Sequence, residues 1–109
     1  MLKSILGSVN SERVLIYLLA RNEGYAREIA RFFETNLNSI QKQLEKLEEG
    51  GILISHSVGR TLAYSYNPAY PFLPEVKKLL EKALSFYPQD ERERLMLNRR
   101  RPRRHNKPL

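Results

Sequence analysis

The sequence predicts a mainly α-helical domain with one small β-hairpin, an α+β fold, in a chain of 109 residues. Apolar residues recur with helical spacing through most of residues 11–49 and again through 74–87, whereas they alternate in the stretch between. The apolar share of 41% and the charged share of 28% are typical of a globular chain. The length suits a single domain with a modest core.

Two helices come first. Residues 11–22 carry an apolar stripe that follows an N-cap at Asn10 or Ser11 and is ended by Gly24. Residues 25–33 place apolar side chains on one side and charged ones on the other, which predicts a shorter helix of about two and a half turns.

The third predicted helix, residues 37–49, has the clearest boundaries. Asn36 is a good N-cap, and Gly50 and Gly51 stop the helix. Apolar side chains recur on one face and hydrogen-bonding groups cover the other. Because three residues join this helix to the one before, the pair predicts a helix-turn-helix.

After the two glycines the sequence alternates. Residues 52–58 and 62–67 predict two strands, and residues 59–61 join them into a hairpin. A helix-turn-helix followed by a hairpin is the order of elements in a winged helix.

The C-terminal part divides into a helix and a tail. Residues 74–87 carry an apolar stripe bounded by prolines, and Asp90 could cap one further short helix. We therefore expect a winged helix-turn-helix domain with this additional C-terminal helix at residues 1–87. Residues 88–109 are expected to form a basic, flexible tail.

The net charge of +7 is concentrated in that tail. Residues 1–86 carry eleven Lys or Arg against nine Asp or Glu, a net charge of +2, whereas residues 87–109 carry +5. The last stretch, residues 98–109, has six cations, no acid and two prolines, a pattern that is predicted to be unable to form a packed helix. Such a segment could contact phosphates without regard to sequence, or could simply be a solubilising tail.

The polar face of residues 37–49 carries the side-chain types that read B-DNA in the major groove. Asn and Gln bond to adenine, and Lys bonds to guanine or phosphate. The candidate base contacts are Asn38, Ser39, Lys42 and Gln43, and the candidate phosphate contacts are Gln41 and Lys46. Any surface helix has a polar face, so a plain solvated helix is the alternative. Leu37 could close the core or contact a thymine methyl group.

The predicted hairpin tip carries one cation, Arg60, followed by Thr61. Gly59 lets the turn tighten, and an Arg at the tip can enter a narrow minor groove, where the potential is most negative. The alternative is an ordinary exposed turn. The position of this Arg directly after a helix-turn-helix favours the DNA contact.

Residue types that support catalysis or metal binding are scarce. The chain has no Cys, and His56 and His105 are distant in sequence, with no acidic residue at ligand spacing. No phosphate-binding loop is present, and no apolar run approaches the roughly 18 to 20 residues of a membrane span. We therefore expect a cytoplasmic protein that is not an enzyme and needs no cofactor or metal.

The run EIARFFETNLNSIQKQLEKLEEGGILISHSVGRTLAYSYNP resembles the core of ArsR/MarR-like prokaryotic transcriptional regulators. Those proteins have an E-I-A second helix, a third helix ending L-x-x-L-x-x-x-G, and a Gly-Arg wing followed by Tyr-x-x-Asn. The resemblance covers residues 11–85. It implies base-reading residues at Asn38, Ser39 and Lys42, flanked by Asn36 and Leu37, and a wing contact at Arg60. Metal-sensing members use Cys and His ligands that this chain lacks.

The closing segment NPAYPFLPEVKKLLEKAL resembles small winged-helix proteins that occur alone or in front of nucleotidyltransferase domains. The resemblance also implies a homodimer built from the first and last helices. Leu2, Ile5 and Leu6, with the stripe of residues 74–87, offer more apolar surface than so small a core would bury, unless both helices complete the monomer.

We therefore predict a sequence-specific regulator of transcription that binds double-stranded DNA as a homodimer, with residues 74–87 as its dimerisation helix. Residues 37–49 would enter the major groove and residues 58–61 would reach the minor groove. Two alternatives stay open: a protein-interaction module that partners a nucleotidyltransferase, and RNA binding through the Arg-rich tail.

Overall fold

A computed structural model describes the backbone of residues 1–104 and the side chains of residues 1–96. The elements of that part of the chain are α1 (Lys3–Leu6), α2 (Val9–Arg21), β1 (Gly24–Tyr25), α3 (Ala26–Phe32), α4 (Leu37–Glu49), β2 (Leu53–Val58), β3 (Thr61–Tyr66), α5 (Leu73–Ser85) and α6 (Gln89–Arg104). This is the predicted α+β class, with the helix-turn-helix formed by α3 and α4 and the wing by β2 and β3. None of the described helices is long and apolar enough to cross a membrane.

Helix α2 forms the centre of the core. Its buried apolar residues are Val14, Leu15, Ile16, Tyr17, Leu18 and Ala20, and it contacts α4, α5 and α6. The helix begins earlier than predicted because Ser8, rather than Asn10 or Ser11, is the N-cap: the Ser8 hydroxyl accepts a hydrogen bond of 3.0 Å from the Ser11 amide. Asn22, with φ of 73°, ends the helix in place of Gly24.

Gly24 has a different role, because it opens a strand that the sequence pattern does not predict. β1 pairs antiparallel with β3, with Gly24 opposite Tyr64 and Tyr25 opposite Ala63, so that the sheet order is β1-β3-β2. A Cβ atom at Gly24 would lie 2.8 Å from Cε1 of Tyr17, so only glycine fits this close approach. The predicted helix at residues 25–33 is accordingly shorter, at Ala26–Phe32.

The predicted boundaries of α4 are confirmed. The Asn36 side-chain oxygen accepts a hydrogen bond of 3.1 Å from the Ser39 amide, and Gly50 is the C-cap. Ile40 and Leu44 are fully buried, which fixes the orientation of the helix against the core. In the turn between α3 and α4, Glu34 has φ of 52°.

The wing is a tight hairpin. Val58 pairs with Thr61, so the loop contains only Gly59 and Arg60, and β3 begins one residue before its predicted start. Gly59 has φ of 62° at the first loop position, the pattern of a type II′ turn.

The C-terminal helices pack on α2. Leu80 and Ala83 of α5 are buried, and Leu95 of α6 is fully buried in the same core. The guanidinium of Arg21 donates hydrogen bonds to the carbonyls of Leu95, at 3.0 Å, and Arg94, at 3.3 Å. The folded part therefore extends beyond the domain boundary predicted at residue 87.

The backbone of α6 is helical from Gln89, which places Asp90 in the first turn and not at the cap. It stays helical to Arg104, through Pro102, in contrast to the expectation for residues 98–109. The packing of Leu95 and the bonds from Arg21 fix the early turns, and extending an existing helix is easier than nucleating one. The tail prediction for residues 105–109 lies outside the described residues.

Candidate nucleic-acid interface

The outward face of α4 is polar and mixed in charge. Its exposed side chains are Asn38, Gln41, Lys42, Glu45, Lys46 and Glu49. The two carboxylates lie in the C-terminal half, whereas the N-terminal half offers amides and Lys42. A polyanion would therefore be met most favourably by the first two turns of the helix.

Three predicted site residues at the start of α4 differ in their exposure and in their hydrogen bonds. Asn36 is exposed, but its side-chain oxygen caps the helix. Asn38 is exposed, while Ser39 is half-buried. Among the four predicted base contacts, Asn38 and Lys42 are therefore exposed, whereas Ser39 and Gln43 are half-buried.

Gln43 lies on the side of α4 that faces α2. The Ser11 hydroxyl donates a hydrogen bond of 2.7 Å to its side-chain oxygen, and Gln43 is only half exposed. The contact with Ser11 therefore holds the side-chain oxygen of Gln43 at the α2–α4 junction, unlike the side chain of Lys42, and the base contact of Gln43 stays a prediction.

At the wing tip the two predicted residues have different roles. Arg60 is exposed, and no hydrogen bond or ion pair engages it within residues 1–96. The Thr61 hydroxyl instead donates to the Val58 carbonyl at 2.8 Å, so it closes the turn. Of these two residues, Arg60 is therefore the one whose side chain has no hydrogen-bond or ion-pair partner within residues 1–96.

A groove of about 300 Å³, here called the wing groove, lies between α3, α4 and the wing. It is lined by Tyr25, Ala26, Arg27, Leu37, Gln41, Glu45, Arg60, Thr61, Leu62 and Tyr64. Four predicted site residues, Leu37, Gln41, Arg60 and Thr61, thus meet in one depression. Asn38, Lys42 and Lys46 lie outside it on the outward face of α4.

Leu37 takes the first of the two roles that the sequence leaves open, and its contact with a thymine methyl group stays a prediction. It packs against the core cluster while half exposed, and it also lines the wing groove. An apolar side chain at the first residue of α4 can thus support the helix and contact a ligand.

Arg27 is the main residue of the groove that the sequence did not predict as a site residue. It lies in the first turn of α3, and the short strand β1 brings that turn beside the wing through the pairing of Tyr25 with Ala63. The signal available in sequence is the charged face of α3, which contains Arg27 and Arg31 without distinguishing them.

One end of the groove is acidic. Burial raises the pKa of the Tyr64 phenol, and the carboxylates of Glu48 and Glu45 raise it further. Glu48 also accepts a hydrogen bond of 2.7 Å from the Ser55 hydroxyl, which ties α4 to β2. The wing groove therefore has guanidinium groups from Arg27 and Arg60 and a carboxylate from Glu45.

A second, larger groove of about 460 Å³, here called the terminal groove, lies where the N-terminus meets the α5–α6 junction. The Glu12 carboxylate at its edge accepts hydrogen bonds from the Tyr87 hydroxyl and, at 2.7 Å, from the Leu2 amide, and it lies 3.2 Å from the Met1 amino group. Arg94 donates to the Phe32 carbonyl at 3.2 Å and stacks over the Phe32 ring.

Residues 1–96 contain no group of three or more His, Asp or Glu side chains arranged to hold a metal ion. The exposed His56 lies 4.0 Å from Glu23, and no third such residue joins them there.

No protein-family model matches the chain, and no curated protein matches it. Its structure is similar to that of an apo double mutant of Lactococcus lactis ZitR, with a TM-score of 0.54 and 20% identity over 91% of this chain and 83% of that one. It is also similar to the adhesin competence repressor AdcR of Streptococcus pyogenes, with a TM-score of 0.51 and 14% identity over 84% and 77% of the two chains. These similarities show that the fold is a winged helix.

Proposed function

We propose that this protein is a regulator of transcription that binds double-stranded DNA in a sequence-specific manner. The observation that carries the proposal is the wing groove, where Gln41 of α4 and Arg60 of the wing face the same depression. A ligand that contacts one is therefore within reach of the other. A duplex fits, because its major and minor grooves adjoin across one backbone strand.

In this proposal α4 enters the major groove. Asn38 and Lys42 reach base edges with Ser39 beside them, and Leu37 offers a methyl contact for thymine. Gln41 and Lys46 contact phosphates on either side. Gln43 supports the orientation of α4 through Ser11.

Arg60 enters the adjacent minor groove, where a narrow groove has a strongly negative potential. The tight two-residue loop supports this role, because it presents one exposed guanidinium at the tip. The likeness in fold to a protein described as a repressor also supports a regulatory role. The proposal includes that the protein is cytoplasmic, that it is not an enzyme and that it comes from a prokaryote.

A homodimer is part of the proposal, since two copies related by a two-fold axis would place their α4 helices in major grooves about 34 Å apart. Leu80 and Ala83 of α5 are used in the core of the protomer, so they do not supply the contact. The support comes from exposed apolar side chains near the chain ends, including Ile5, 66% exposed, and Phe86, 68% exposed.

The test begins with selecting bound duplexes from a random pool and measuring their affinity across a salt series. Lys42→Ala is expected to weaken binding about tenfold or more at the selected sequence. Arg60→Ala is expected to weaken it similarly and to reduce the salt slope by about one. Lys78→Ala on α5 is the matched control and should bind within about twofold of the parent. If Lys42→Ala and Arg60→Ala both bind like this control, the proposal is wrong.

Deleting residues 98–109 separates this proposal from RNA binding through the Arg-rich segment. For a DNA-binding winged helix the deletion lowers affinity and the salt slope but keeps sequence preference. For RNA binding through that segment it abolishes nucleic-acid binding.

A further inference from the structure

The wing groove is lined by apolar residues as well as by two cations. The apolar lining consists of Leu37, Leu62, which is 46% exposed, and the Tyr64 ring. Arg27 comes from α3 and Arg60 from the wing, so the two guanidinium groups are carried on different elements around the same depression.

Neither guanidinium has a partner within the part of the chain whose side chains are described. No hydrogen bond or ion pair of Arg27 or Arg60 occurs there, although carboxylates are available on α4. Arg21 and Arg94, by contrast, donate to backbone carbonyls and stack on aromatic rings. The two guanidiniums at the groove are therefore free to bind an anion.

The α4 wall of the groove changes from apolar to acidic along its length. Leu37, Gln41 and Glu45 line it, and they follow one another at intervals of four residues, one turn apart. An anionic strand is therefore attracted near Arg27 and Arg60 and repelled near Glu45.

We propose, on the basis of the proposed function, that the wing groove holds the backbone strand between the two DNA grooves, with Arg27 as a second phosphate-binding residue and Glu45 limiting how deeply the strand enters. Leu37 and Leu62 can pack against the C–H faces of deoxyribose, which lacks the 2′-hydroxyl of RNA. Arg27 fixes the position of the duplex without reading sequence, because phosphates carry no base information.

The chain offers a matched pair for the test. Arg27 and Arg31 are both exposed and one turn apart on α3, but only Arg27 lines the groove. Arg27→Ala is expected to weaken binding about fivefold or more on selected and unrelated duplexes alike, and to reduce the salt slope by about one. Arg31→Ala should stay within about twofold of the parent.

Glu45→Gln tests the other end of the groove. It should tighten duplex binding about two- to fivefold at low salt, with the gain falling as salt rises. Glu81→Gln, an exposed carboxylate on α5, is the control and should leave affinity unchanged. Thermal unfolding of all four variants checks that the surface substitutions leave the fold intact.

The inference is overturned if Arg27→Ala matches Arg31→Ala while Lys42→Ala and Arg60→Ala still weaken binding. It is also overturned if Glu45→Gln weakens binding or leaves it unchanged. If Arg27→Ala, Lys42→Ala and Arg60→Ala all leave affinity unchanged, the proposed function itself fails, so the two failures are distinguishable.

Discussion

The wing groove and the terminal groove differ in how their charges are used. The terminal groove is the larger, at about 460 Å³ against about 300 Å³, yet three of the charged side chains that line it, Glu12, Arg13 and Arg94, bond to the protein itself. Glu12 is held by Tyr87, Leu2 and the terminal amino group, and Arg94 binds a carbonyl of α3. The arginines of the smaller groove are without such partners in residues 1–96.

This difference distinguishes a structural joint, where charged groups hold elements of the fold together, from a binding surface, where charged groups are available to a ligand. Buried charges that have partners hold elements together, and removing one partner costs stability. Exposed charges without partners contribute little to folding but remain available to a ligand. Substitutions in the terminal groove should therefore change stability, and substitutions in the wing groove should change binding.

The largest expected effect tests the joint at Glu12, a residue that is 4% exposed. Glu12→Gln removes the charge that accepts from Tyr87 and Leu2, and it should lower the free energy of unfolding by about 2 to 3 kcal/mol in urea titrations. DNA affinity per folded molecule should not change. A loss no greater than that of Glu81→Gln would show that the terminal groove is not a joint.

The same substitution should alter the pH dependence of stability. Burial raises the pKa of the Glu12 carboxyl, but hydrogen bonds from Tyr87, the Leu2 amide and the terminal amino group lower it more, so the net pKa lies below its ordinary value of 4.5. The stabilisation is therefore complete above that ordinary value and is lost as pH falls through the depressed pKa. Stability of Glu12→Gln should decline less over this acid range, as measured by urea unfolding at several pH values.

The next effect, at Gly24, should affect both stability and binding. The added methyl group would lie 2.8 Å from the Tyr17 ring, which is packed edge to face against Phe32. Gly24→Ala should cost about 2 kcal/mol of unfolding free energy and should also weaken DNA binding, because β1 positions the wall that carries Arg27. Gly50→Ala is the control, since a methyl group there meets its nearest atom at 3.5 Å. Equal stability of the two variants would contradict the packing argument.

The smallest effect concerns the link between the core and α4. Ser11→Ala removes the hydrogen bond to Gln43 and should cost about 1 kcal/mol, with a few-fold loss of DNA affinity as α4 becomes less firmly oriented. Ser4→Ala, on the exposed α1, should change neither quantity. If DNA affinity of Ser11→Ala equals that of Ser4→Ala, the link does not orient α4.

Elements of the fold were predictable from the sequence where the residues that determine them lie close together along the chain. Helix α4 was predicted to the residue because its cap at Asn36 and its stop at Gly50 lie at its own ends. Strand β1 was not predicted, because two residues become a strand only by pairing with Tyr64 and Ala63, far along the chain. The docking of α6 depends on the burial of Leu95 and on hydrogen bonds from Arg21, which is more than 70 residues away in sequence, and no periodicity reveals either.

The residues of the candidate site were also predictable only where the signal was local in sequence. Arg60 and Gln41 were predicted from a turn and a helix face, and the structure brings them to one groove. Arg27 required β1 to bring α3 beside the wing. The hydrogen bond between Ser11 and Gln43 could not be predicted, because the two residues are 32 apart in sequence.

In the proposed complex, α4 and the wing contact one duplex while the terminal groove does not. Amide NMR shifts of the protein, titrated with a duplex selected from a random pool, distinguish the two surfaces. We expect large shifts in the first two turns of α4, at Arg27 and at Gly59 and Arg60, with small ones at Phe33 and Tyr87, which line the terminal groove. Shifts concentrated at Phe33 and Tyr87, with α4 and the wing unchanged, would contradict this expectation.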